Sequence, residues 1–351
     1  MNFDFGNLVC KPIPWLQESG EEDEIVISCR IRLARNISNV PFPNRASSQD
    51  LTEVVERVQE TTERLDQLGD AIFLPIEELS SLESRILVER RLISPEFVQQ
   101  KIPRAVAFSS DEKISIMINE EDHLRLQGFG VGLSLSTVWD ELRAVDDGFA
   151  ECLDYAFSDQ FGYLTACPTN TGTGMRVSAF VHLPATEMCG EIEKALTKKT
   201  PSGLAVRGFY GEGTDVIGSI YQISNQLTLG WTEWRIIEDL IKVAKEIVDK
   251  EDKSRQKLMN DERIRVEDRV FRSIGILSKA RLLTSKEFIE HYSYLLLGVN
   301  LGIISQIQKS TLNELMIITQ PAHIQRLYGS SMRALERDVY RAELVRDKLK
   351  L

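Results

Sequence analysis

Two segments of this chain alternate between apolar and polar residues, and this alternation restricts both to the β conformation. Residues 25–32 (IVISCRIR) and 175–183 (MRVSAFVHL) place an apolar side chain at nearly every second position. Side chains of a strand point alternately to the two faces of a sheet, whereas an amphipathic helix repeats every 3.6 residues. We therefore predict two strands with one buried face each. The opposite faces carry Ser28, Arg30 and Arg32 in the first strand and Arg176, Ser178, Phe180 and His182 in the second.

Glycine-rich turns and apolar runs next to these strands deliver further arginines and a thiol. Residues 167–176 (CPTNTGTGMR) lead from Cys167 through a turn into Arg176. Residues 205–214 (AVRGFYGEGT) follow the same design, with Arg207 at the end of a strand and glycines on both sides of Glu212. Guanidinium groups bind phosphate oxygens in a bidentate manner and stay charged. Several arginines on separate strands therefore predict a site for a compact anion.

Acidic residues cluster directly after a third apolar strand. Residues 114–118 (ISIMI) are followed by Asn119 and then by Glu120, Glu121 and Asp122, with Arg125 close behind. Consecutive carboxylates next to a buried strand are unfavourable unless something positive binds there. We expect either Mg²⁺, held through water, or a cationic substrate; a charged hairpin turn is the alternative. In an extended chain, Glu121, His123 and Arg125 would face one way.

Composition and missing motifs exclude several classes of function. The net charge of −11 argues against a general nucleic-acid coat. No apolar run is long enough for a membrane span, and the first residues lack the pattern of a signal peptide. The five cysteines contain no C-x-x-C pair, which predicts reduced thiols in a cytoplasmic protein, and the four histidines are too scattered for a zinc site. Residues 128–132 (GFGVG) do not match a dinucleotide fingerprint, and no P-loop motif occurs. An arginine cage with Mg²⁺ is then the natural way to bind a nucleotide triphosphate.

The rest of the sequence predicts helices that pack around the sheet and a C-terminal part made of helices. We expect helices at residues 51–68, 76–91, 187–196 and 231–248, and one at residues 133–157 that is loosened near Asp146. A separate charge-dense helix is expected at residues 251–272, with turns at Gly275 and Gly298. The fold class is therefore α+β, followed by an all-α C-terminal domain. The predicted divisions are an N-terminal extension (residues 1–23), a catalytic domain (24–254) and a helical domain (255–351).

Four sequence blocks together resemble the phosphagen (guanidino) kinases, such as arginine and creatine kinase. They are IVISCRIRLAR, NEEDHLRL, CPTNTGTGMR and RGFYGEGT, in the order and at spacings compatible with that family. The resemblance implies an antiparallel sheet flanked by helices, Mg-ATP as phosphoryl donor and phosphorylation of a guanidinium nitrogen. It implies ATP binding by Ser28, Arg30, Arg32, Arg125, Arg176 and Arg207. It also implies catalytic roles for Glu121, Glu212 and Cys167, and contact with hydrated Mg²⁺ for Glu120 and Asp122.

Two departures from that pattern resemble the bacterial protein-arginine kinases of the McsB type. Phosphagen kinases have a helical domain before the first block, which here begins at Ile25, and this chain has added helices after the last block instead. Near the end, residues 337–342 (RDVYRA) are similar to that family's R-D-x-x-R-A motif. The resemblance implies an allosteric phosphoarginine site at Arg337, Asp338 and Arg341.

The function expected from this resemblance is ATP-dependent phosphorylation of arginine side chains in proteins. The alternatives are a kinase of a free guanidino compound such as L-arginine and an inactive kinase fold that acts as a regulatory binding protein. The resemblance further implies a cytoplasmic homodimer with a role in the stress response. Its implied partners are a zinc-binding activator, a Clp unfoldase–protease and a stress-gene repressor, with no direct contact to nucleic acid or membrane.

Overall fold

An eight-stranded antiparallel sheet with helices on both faces organises the molecule. The structure is a computed structural model that describes residues 3–99, 102–197, 204–208, 217–329 and 331–350, with backbone alone at residues 197 and 206–208. The strands within these ranges are β1 (Val26–Arg35), β2 (Ile72–Pro75), β3 (Ala105–Phe108), β4 (Ile114–Ile118), β5 (Leu124–Val131), β6 (Phe157–Ser158), β7 (Gly162–Tyr163), β8 (Met175–His182), β9 (Leu204–Gly208) and β10 (Ile220–Asn225). The α-helices are α1 (Phe5–Cys10), α2 (Ser48–Arg64), α3 (Ser81–Glu89), α4 (Leu135–Cys152), α5 (Pro184–Met188), α6 (Ile192–Thr197), α7 (Glu233–Asp261), α8 (Arg263–Lys279), α9 (Ser285–Asn300), α10 (Lys309–Ile318), α11 (Pro321–Leu327) and α12 (Ala334–Leu349).

The order of strands in the main sheet is β2-β3-β4-β5-β1-β8-β10-β9, and each neighbouring pair is antiparallel. Strands β6 and β7 form a separate hairpin. Strand β1 therefore lies inside the sheet. Its neighbours are β5, which follows the acidic residues 120–122, and β8, which follows the glycine-rich turn. The predicted α+β class with an antiparallel sheet and a helical C-terminal part is confirmed.

Helices α2, α4 and α7 cover the first face of the sheet, where the apolar side of each alternating strand is buried. Ile31 of β1 and Val177 of β8 are fully buried in this core. The glycines of β5 allow α4 to pack closely, which explains the GFGVG segment. A Cβ atom on Gly128 would lie 3.0 Å from the side chain of Val138, and one on Gly130 would lie 2.3 Å from Ser134 Oγ. These glycines therefore serve packing.

The second face of the sheet is only partly covered. The helical C-terminal part and residues 13–16 pack against one end of this face, in an apolar cluster that includes Phe129 and Phe180. His182 Nε2 of β8 lies 2.7 Å from Ser293 Oγ of α9, which fixes the contact between sheet and helices. The other end of the face, where Arg30 and Arg32 project, forms a cleft.

Several predicted helix boundaries are wrong, each for a local physical reason. Residues 76–91 are not one helix, because Ser80 and Glu83 form a capping box that begins α3 at Ser81. Helix α4 is continuous through Asp146, and Gly275 lies inside α8. The sequence predicts separate helices at residues 231–248 and 251–272. The predicted break between them is wrong, since α7 runs unbroken to Asp261. The proposed domain boundary after residue 254 therefore falls within a helix.

Two further observations concern the cysteines and membrane insertion. All five cysteines are free thiols. Across the part of the chain that the structure describes, no helix combines the length and apolar character that crossing a membrane requires.

Candidate active site

The register of the central strands brings arginines from three strands to one face of the sheet. Arg32 of β1 lies directly opposite Gln127 of β5 and Arg176 of β8. Direct partners in antiparallel strands point to the same face, as do residues two positions apart in one strand. Arg30 and Arg125 therefore share this face. We call Arg30, Arg32, Arg125 and Arg176 the arginine cluster.

The arginine cluster lines a cleft of about 520 Å³ on the second face of the sheet. One wall comes from the end of α3 and the turn that follows it, and includes Glu89 and Ser94. The helical C-terminal part supplies another wall from α10 and the residues after it. The remaining lining residues are Val88, Arg91, Ile93, Pro95, Glu96, Met117, Gln127, Phe180, Gln222, Ser224, Met316, Ile317 and Gln320.

The electrostatics of the arginine cluster favour an anionic ligand. Burial, with the positive charges of Arg125 and Arg91, lowers the pKa of Arg30 to about 9. Burial and the neighbouring arginines likewise hold the pKa of Arg32 well below its usual range. The buried Nε of Arg30 has no hydrogen-bond partner among the described residues. Like charges held close together in a buried site are unfavourable, and a bound anion relieves this repulsion, so the cluster fits the phosphates of a nucleotide.

A smaller acidic pocket of about 260 Å³ adjoins the cleft. Arg32, Arg125 and Arg176 line both cavities. The acidic pocket also contains Glu121, whose side chain is exposed, and Cys167, whose Sγ lies 3.1 Å from Thr169 Oγ1. Its other lining residues are Leu33, Ala34, Glu120, Asp122, Thr169, Asn170 and Gly174. An anion in the cleft and a cation in the pocket would thus meet at the shared arginines.

The acidic residues form a turn and do not continue an extended strand. Asn119 adopts a left-handed φ of 61° and its N–H donates to the carbonyl of His123 at 2.9 Å. Glu120 accepts hydrogen bonds from Arg125 and Ser94. The expectation that Glu121, His123 and Arg125 face one way is wrong, because His123 is completely buried while Glu121 is exposed.

The two carboxylates predicted to steady hydrated Mg²⁺ are both bound by protein donors. Glu120 forms an ion pair with Arg125, and Asp122 accepts hydrogen bonds of 2.6 Å from Asn36 Nδ2 and from the N–H of Ala166. Burial, strengthened by the neighbouring carboxylates, raises the pKa of Asp122 to about 6. Within the described ranges, no group of three or more acidic, histidine or cysteine side chains could hold a metal ion. Both carboxylates are thus engaged by donors of the protein itself.

The turn between Cys167 and Gly174 is held on both sides. Thr228 Oγ1 donates to the carbonyls of Thr169 and Thr171, at 3.0 and 2.7 Å. Gly172 has a φ of +117°, and a Cβ atom there would lie 2.6 Å from the carbonyl oxygen of Thr228. Only glycine combines this backbone conformation with such a close approach, so the residue fixes how the turn presents Cys167.

Arg176 is oriented by this same turn. Its Nε lies 3.4 Å from Asn170 Oδ1 and its Nη2 lies 3.3 Å from Thr169 Oγ1. The turn therefore positions the guanidinium at the junction of the two cavities.

Three predicted site residues remain, namely Ser28, Arg207 and Glu212. Ser28 is buried in β1, and the backbone of Arg207 pairs with Gln222, although the Arg207 side chain lies outside the described part. Glu212 also lies outside the described residues.

The predicted phosphoarginine motif lies on α12, where its residues make internal contacts. Arg341 is buried and donates to the carbonyls of Thr319 and Leu283, each at 2.8 Å, and to Asp338 Oδ1 at 2.6 Å. Arg337 donates to the carbonyl of Met332 at 2.7 Å. Arg341 thus joins α12 to the end of α10 and the residue before Thr284, the N-cap of α9.

Sequence reasoning missed Arg91, which lies in the wall of the cleft. It adopts a left-handed φ of 66°, and its guanidinium lies 4.8 Å from the centre of the Phe180 ring. Gln127 Nε2 donates to the carbonyl of Arg91 at 3.0 Å. A non-glycine residue keeps this strained backbone conformation only where the surrounding structure holds it in place. Because Arg91 lies in a turn, no periodic pattern could have identified it.

Sequence reasoning also missed Glu89, which connects the cleft to the helical part. Its carboxylate accepts the N–H groups of Ala322 and His323, at 2.7 and 3.0 Å, and lies 2.7 Å from His323 Nδ1. The carboxylate therefore caps the first turn of α11. A residue that lines the cleft is thereby held directly by the helical part.

We predict that His123 makes the protein less stable in mild acid. Its Nδ1 accepts the N–H of Ile37 at 3.0 Å and its Nε2 lies 3.1 Å from the carbonyl oxygen of Pro41, so the buried ring is neutral. Burial lowers its pKa to about 4, whereas an unfolded chain has a value of about 6.5. The unfolded state therefore binds the proton first, and stability is lost as the pH falls from 6.5 to 4.

The corresponding measurement is urea unfolding of wild type and His123→Gln between pH 7 and pH 4. We expect wild type to lose about 3 kcal/mol more than the variant over this range. Asp122, with its raised pKa, has the opposite slope, but it is present in both proteins and cancels in the comparison. Equal slopes for the two proteins would contradict the prediction.

Comparison with known proteins places this site in a defined class. The family model "ATP:guanido phosphotransferase, C-terminal catalytic domain" matches residues 53–254, and "Protein-arginine kinase McsB C-terminal domain" matches residues 263–351. Among solved structures, a lombricine kinase has a TM-score of 0.58 at 25% identity, covering 72% of this chain and 71% of its own. A duplicated taurocyamine kinase from Schistosoma mansoni has a TM-score of 0.60 at 20% identity, covering 77% of this chain and 40% of its own.

The chain is thus a guanidino phosphotransferase by fold and site. Protein-arginine kinase from Halothermothrix orenii is 44% identical over 96% of both chains. The protein-arginine kinase of Bacillus subtilis is 41% identical over 96% of this chain and 93% of its own. The chain belongs to the protein-arginine kinase family.

Proposed function

We propose that this chain transfers the γ-phosphoryl group of Mg-ATP to the guanidinium of arginine side chains in proteins. The observation that carries the proposal is the pair of adjoining cavities. One is lined by the arginine cluster, whose neighbouring positive charges together with burial lower the pKa of Arg32, and the other by carboxylates, and they share Arg32, Arg125 and Arg176. Phosphoryl transfer depends mainly on positioning and on neutralising charge. The adjoining cavities support both tasks.

The residues of the two cavities take complementary roles in this proposal. The arginine cluster, with Ser28 and Arg207, holds the phosphates of ATP. Glu121 and Glu212 orient the acceptor guanidinium, which is a poor nucleophile while protonated because its pKa exceeds about 12. One of the two carboxylates accepts the proton that the reacting nitrogen loses.

Glu120, Asp122 and Cys167 take supporting roles. Glu120 and Asp122 would contact the water shell of Mg²⁺, which when bound would supply positive charge for the phosphates. Cys167 tunes the guanidinium site and forms no covalent intermediate, since the acceptor nitrogen attacks the phosphoryl group directly.

The position of Glu121 favours a protein-bound acceptor over a free one. Its side chain is exposed at the acidic pocket, and the residues of the described ranges that line this pocket come from positions 32–176. Residues 13–16 pack instead between the helical part and β5, where Trp15 stacks on Phe129 with ring centres 5.5 Å apart. A guanidinium on a long side chain can therefore reach the pocket while the rest of its protein stays outside.

We predict acid-labile phosphorylation of a basic protein and little phosphorylation of free L-arginine under the same conditions. Intact mass and acid lability after incubation with Mg-ATP measure both. Glu121→Gln is expected to lower the transfer rate about 10²–10³-fold, by analogy with the loss of one preorganised stabilising group.

The controls distinguish the alternatives. ATP binding, followed by calorimetry, is expected to persist in Glu121→Gln. Rapid turnover of free L-arginine would contradict the proposal and favour a kinase of a free guanidino compound. Binding of ATP without turnover of either acceptor would favour a regulatory binding protein.

We further propose that α12 senses phosphoarginine through Arg337, Asp338 and Arg341. The buried link from Arg341 to the end of α10 supports this role, because α10 also lines the nucleotide cleft. A phosphoarginine side chain that displaced Asp338 from Arg341 would act on a helix next to the bound nucleotide.

Homodimerisation through the helical part is the second family trait that we propose. Exposed apolar side chains on and beside α8 and α12 support it, including Phe271, Leu282, Leu335 and Val339. A cytoplasmic location is consistent with the free thiols. The stress-response role and the partnership with an activator, a Clp unfoldase–protease and a repressor stay predictions from family resemblance.

A further inference from the structure

Four large apolar side chains are exposed on two segments that contact the turn between Cys167 and Gly174. Phe157 and Phe161 belong to the β6–β7 hairpin, and Leu227 and Leu229 to the segment before α7. Their exposed fractions are 56%, 46%, 46% and 53%. We call these four residues the apolar rim. Contiguous exposed apolar surface is uncommon on soluble proteins and marks interaction sites.

The hairpin and the segment before α7 both contact the turn that lines the acidic pocket. The N–H of Tyr163 donates to the carbonyl of Gly172 at 2.8 Å, and the Tyr163 ring lies 5.3 Å from that of Phe157. On the other side, a Cβ atom on Gly172 would lie 2.8 Å from Leu229 Cα. Gly172 is therefore enclosed between the two halves of the apolar rim.

The apolar rim is continuous with the acidic pocket through a direct hydrogen bond. Thr228, between Leu227 and Leu229, donates to the carbonyl of Thr169, which itself lines the pocket with Cys167. Any chain segment that contacts these leucines thus lies next to the position of the acceptor guanidinium.

We propose that the apolar rim binds apolar side chains that flank the target arginine in an extended segment of the substrate protein. This inference rests on the proposed function and specifies its substrate class. Apolar residues beside an arginine are buried in most folded proteins and become accessible when the chain unfolds. The rim thereby directs the kinase toward arginines in unfolded segments.

The charge at the site favours a substrate segment as the occupant. Glu121 is exposed at the acidic pocket beside the rim, and the chain as a whole carries a net charge of −11. A segment with a cationic arginine and apolar neighbours complements both the carboxylate and the apolar surface. The exposed apolar residues of α8 and α12 lie on other elements and offer a separate surface for self-association.

The test compares two arginine peptides of equal length and charge, one with leucine and phenylalanine at the positions flanking the arginine and one with serine and glutamine there. Wild type is expected to show kcat/KM about 10-fold higher for the apolar-flanked peptide, since loss of small apolar groups from a binding surface costs about this factor. In Leu227→Ser/Leu229→Ser, the ratio is expected to fall toward one. Phe157→Ser is a second, independent variant with the same expected direction.

Val55→Ser provides the control, because Val55 is half-buried on α2, away from the rim and from the exposed apolar residues of α8 and α12. Its peptide ratio is expected to equal that of wild type. Thermal unfolding confirms that each variant is folded, and sedimentation reports its oligomeric state.

Equal kcat/KM for the two peptides with wild type, or an unchanged ratio in both rim variants, would overturn the inference while leaving the kinase activity established. A change of oligomeric state in the rim variants with an unchanged ratio would assign the surface to a second copy and likewise overturn it. Phosphorylation of neither peptide, nor of a basic protein, would instead refute the proposed function itself.

Discussion

Arg32→Gln is expected to lower kcat/KM for ATP about 10²–10³-fold and, in the absence of ligand, to raise the free energy of unfolding. Arg32 is the central member of the arginine cluster and lines both cavities. Removing one preorganised group that stabilises transferred charge typically costs this factor in rate. Without an anion, the same guanidinium is held in a partly buried position next to Arg30, Arg125 and Arg176, and its pKa is lowered well below the usual range.

The variant is expected to lose activity but to gain stability, because the Arg32 guanidinium stabilises the ATP-bound protein and destabilises the ligand-free protein. Glutamine removes the positive charge and therefore relieves repulsion in the ligand-free protein, which we expect to gain about 1 kcal/mol of stability. In the presence of ATP, wild type is expected to gain more stability than the variant, since only wild type has its full complement of phosphate-binding charge. Steady-state kinetics and urea unfolding with and without ATP measure both quantities.

Arg64→Gln is a suitable control for the loss of an arginine. Arg64 is 71% exposed and lies 3.8 Å from Glu60 on α2, so its replacement is expected to change stability by less than about 0.5 kcal/mol. Normal activity in Arg32→Gln would remove this residue from the mechanism. A ligand-free variant less stable than wild type would show that the cluster is not strained by its own charge.

The sequence predicts this cluster well because alternation with period two is a local property. The segments at residues 25–32 and 175–183 became β1 and β8, and the predicted polar faces are those that meet in the cleft. What a single sequence does not contain is the register between strands. Only the pairing of Arg32 with Arg176 and Gln127 shows that the guanidinium groups converge.

Elements determined by tertiary contacts escaped prediction. Strand β5 includes Gly128 and Gly130, which weaken any local preference for a strand, and both are explained only by the approach of α4. Arg91 lies in a turn and the cleft wall from α10 belongs to a distant part of the chain. Helix α7 continues beyond Lys250 because Glu251 is buried, with its carboxylate accepting the N–H groups of Ala185 and Thr186.

The second large expected effect concerns Asp146, which the sequence placed in a loosened part of a helix. The Asp146 carboxylate pairs with the buried guanidinium of Arg35 through Nε at 3.1 Å and Nη2 at 2.7 Å. Arg35 also donates to the carbonyl of Thr173 at 2.9 Å, and its guanidinium lies 3.5 Å from the centre of the Tyr163 ring. Although burial alone would lower the pKa of Arg35, Asp146 and Tyr163 raise it above its ordinary value.

Asp146→Ala is therefore expected to destabilise the protein by about 3–5 kcal/mol. The variant leaves Arg35 as a buried charge without a partner, which is the unfavourable outcome for a broken buried pair. Asp147→Ala, one residue along α4, is the control. Its partner Arg143 lies 3.4 Å away with both side chains more than half exposed, so a loss of about 0.5 kcal/mol or less is expected.

A double-mutant cycle separates the buried charge from the packing of Arg35. If the uncompensated guanidinium causes the loss, Arg35→Met in the Asp146→Ala background should restore part of the stability, because it removes the orphaned charge and keeps an apolar stem. Activity, in contrast to stability, is expected to depend on the Arg35 side chain itself. Arg35 holds the carbonyl of Thr173 in the turn that presents Cys167 and orients Arg176. The double variant should therefore recover stability while kcat/KM stays low, and recovery of both together would mean that Arg35 only supports the fold.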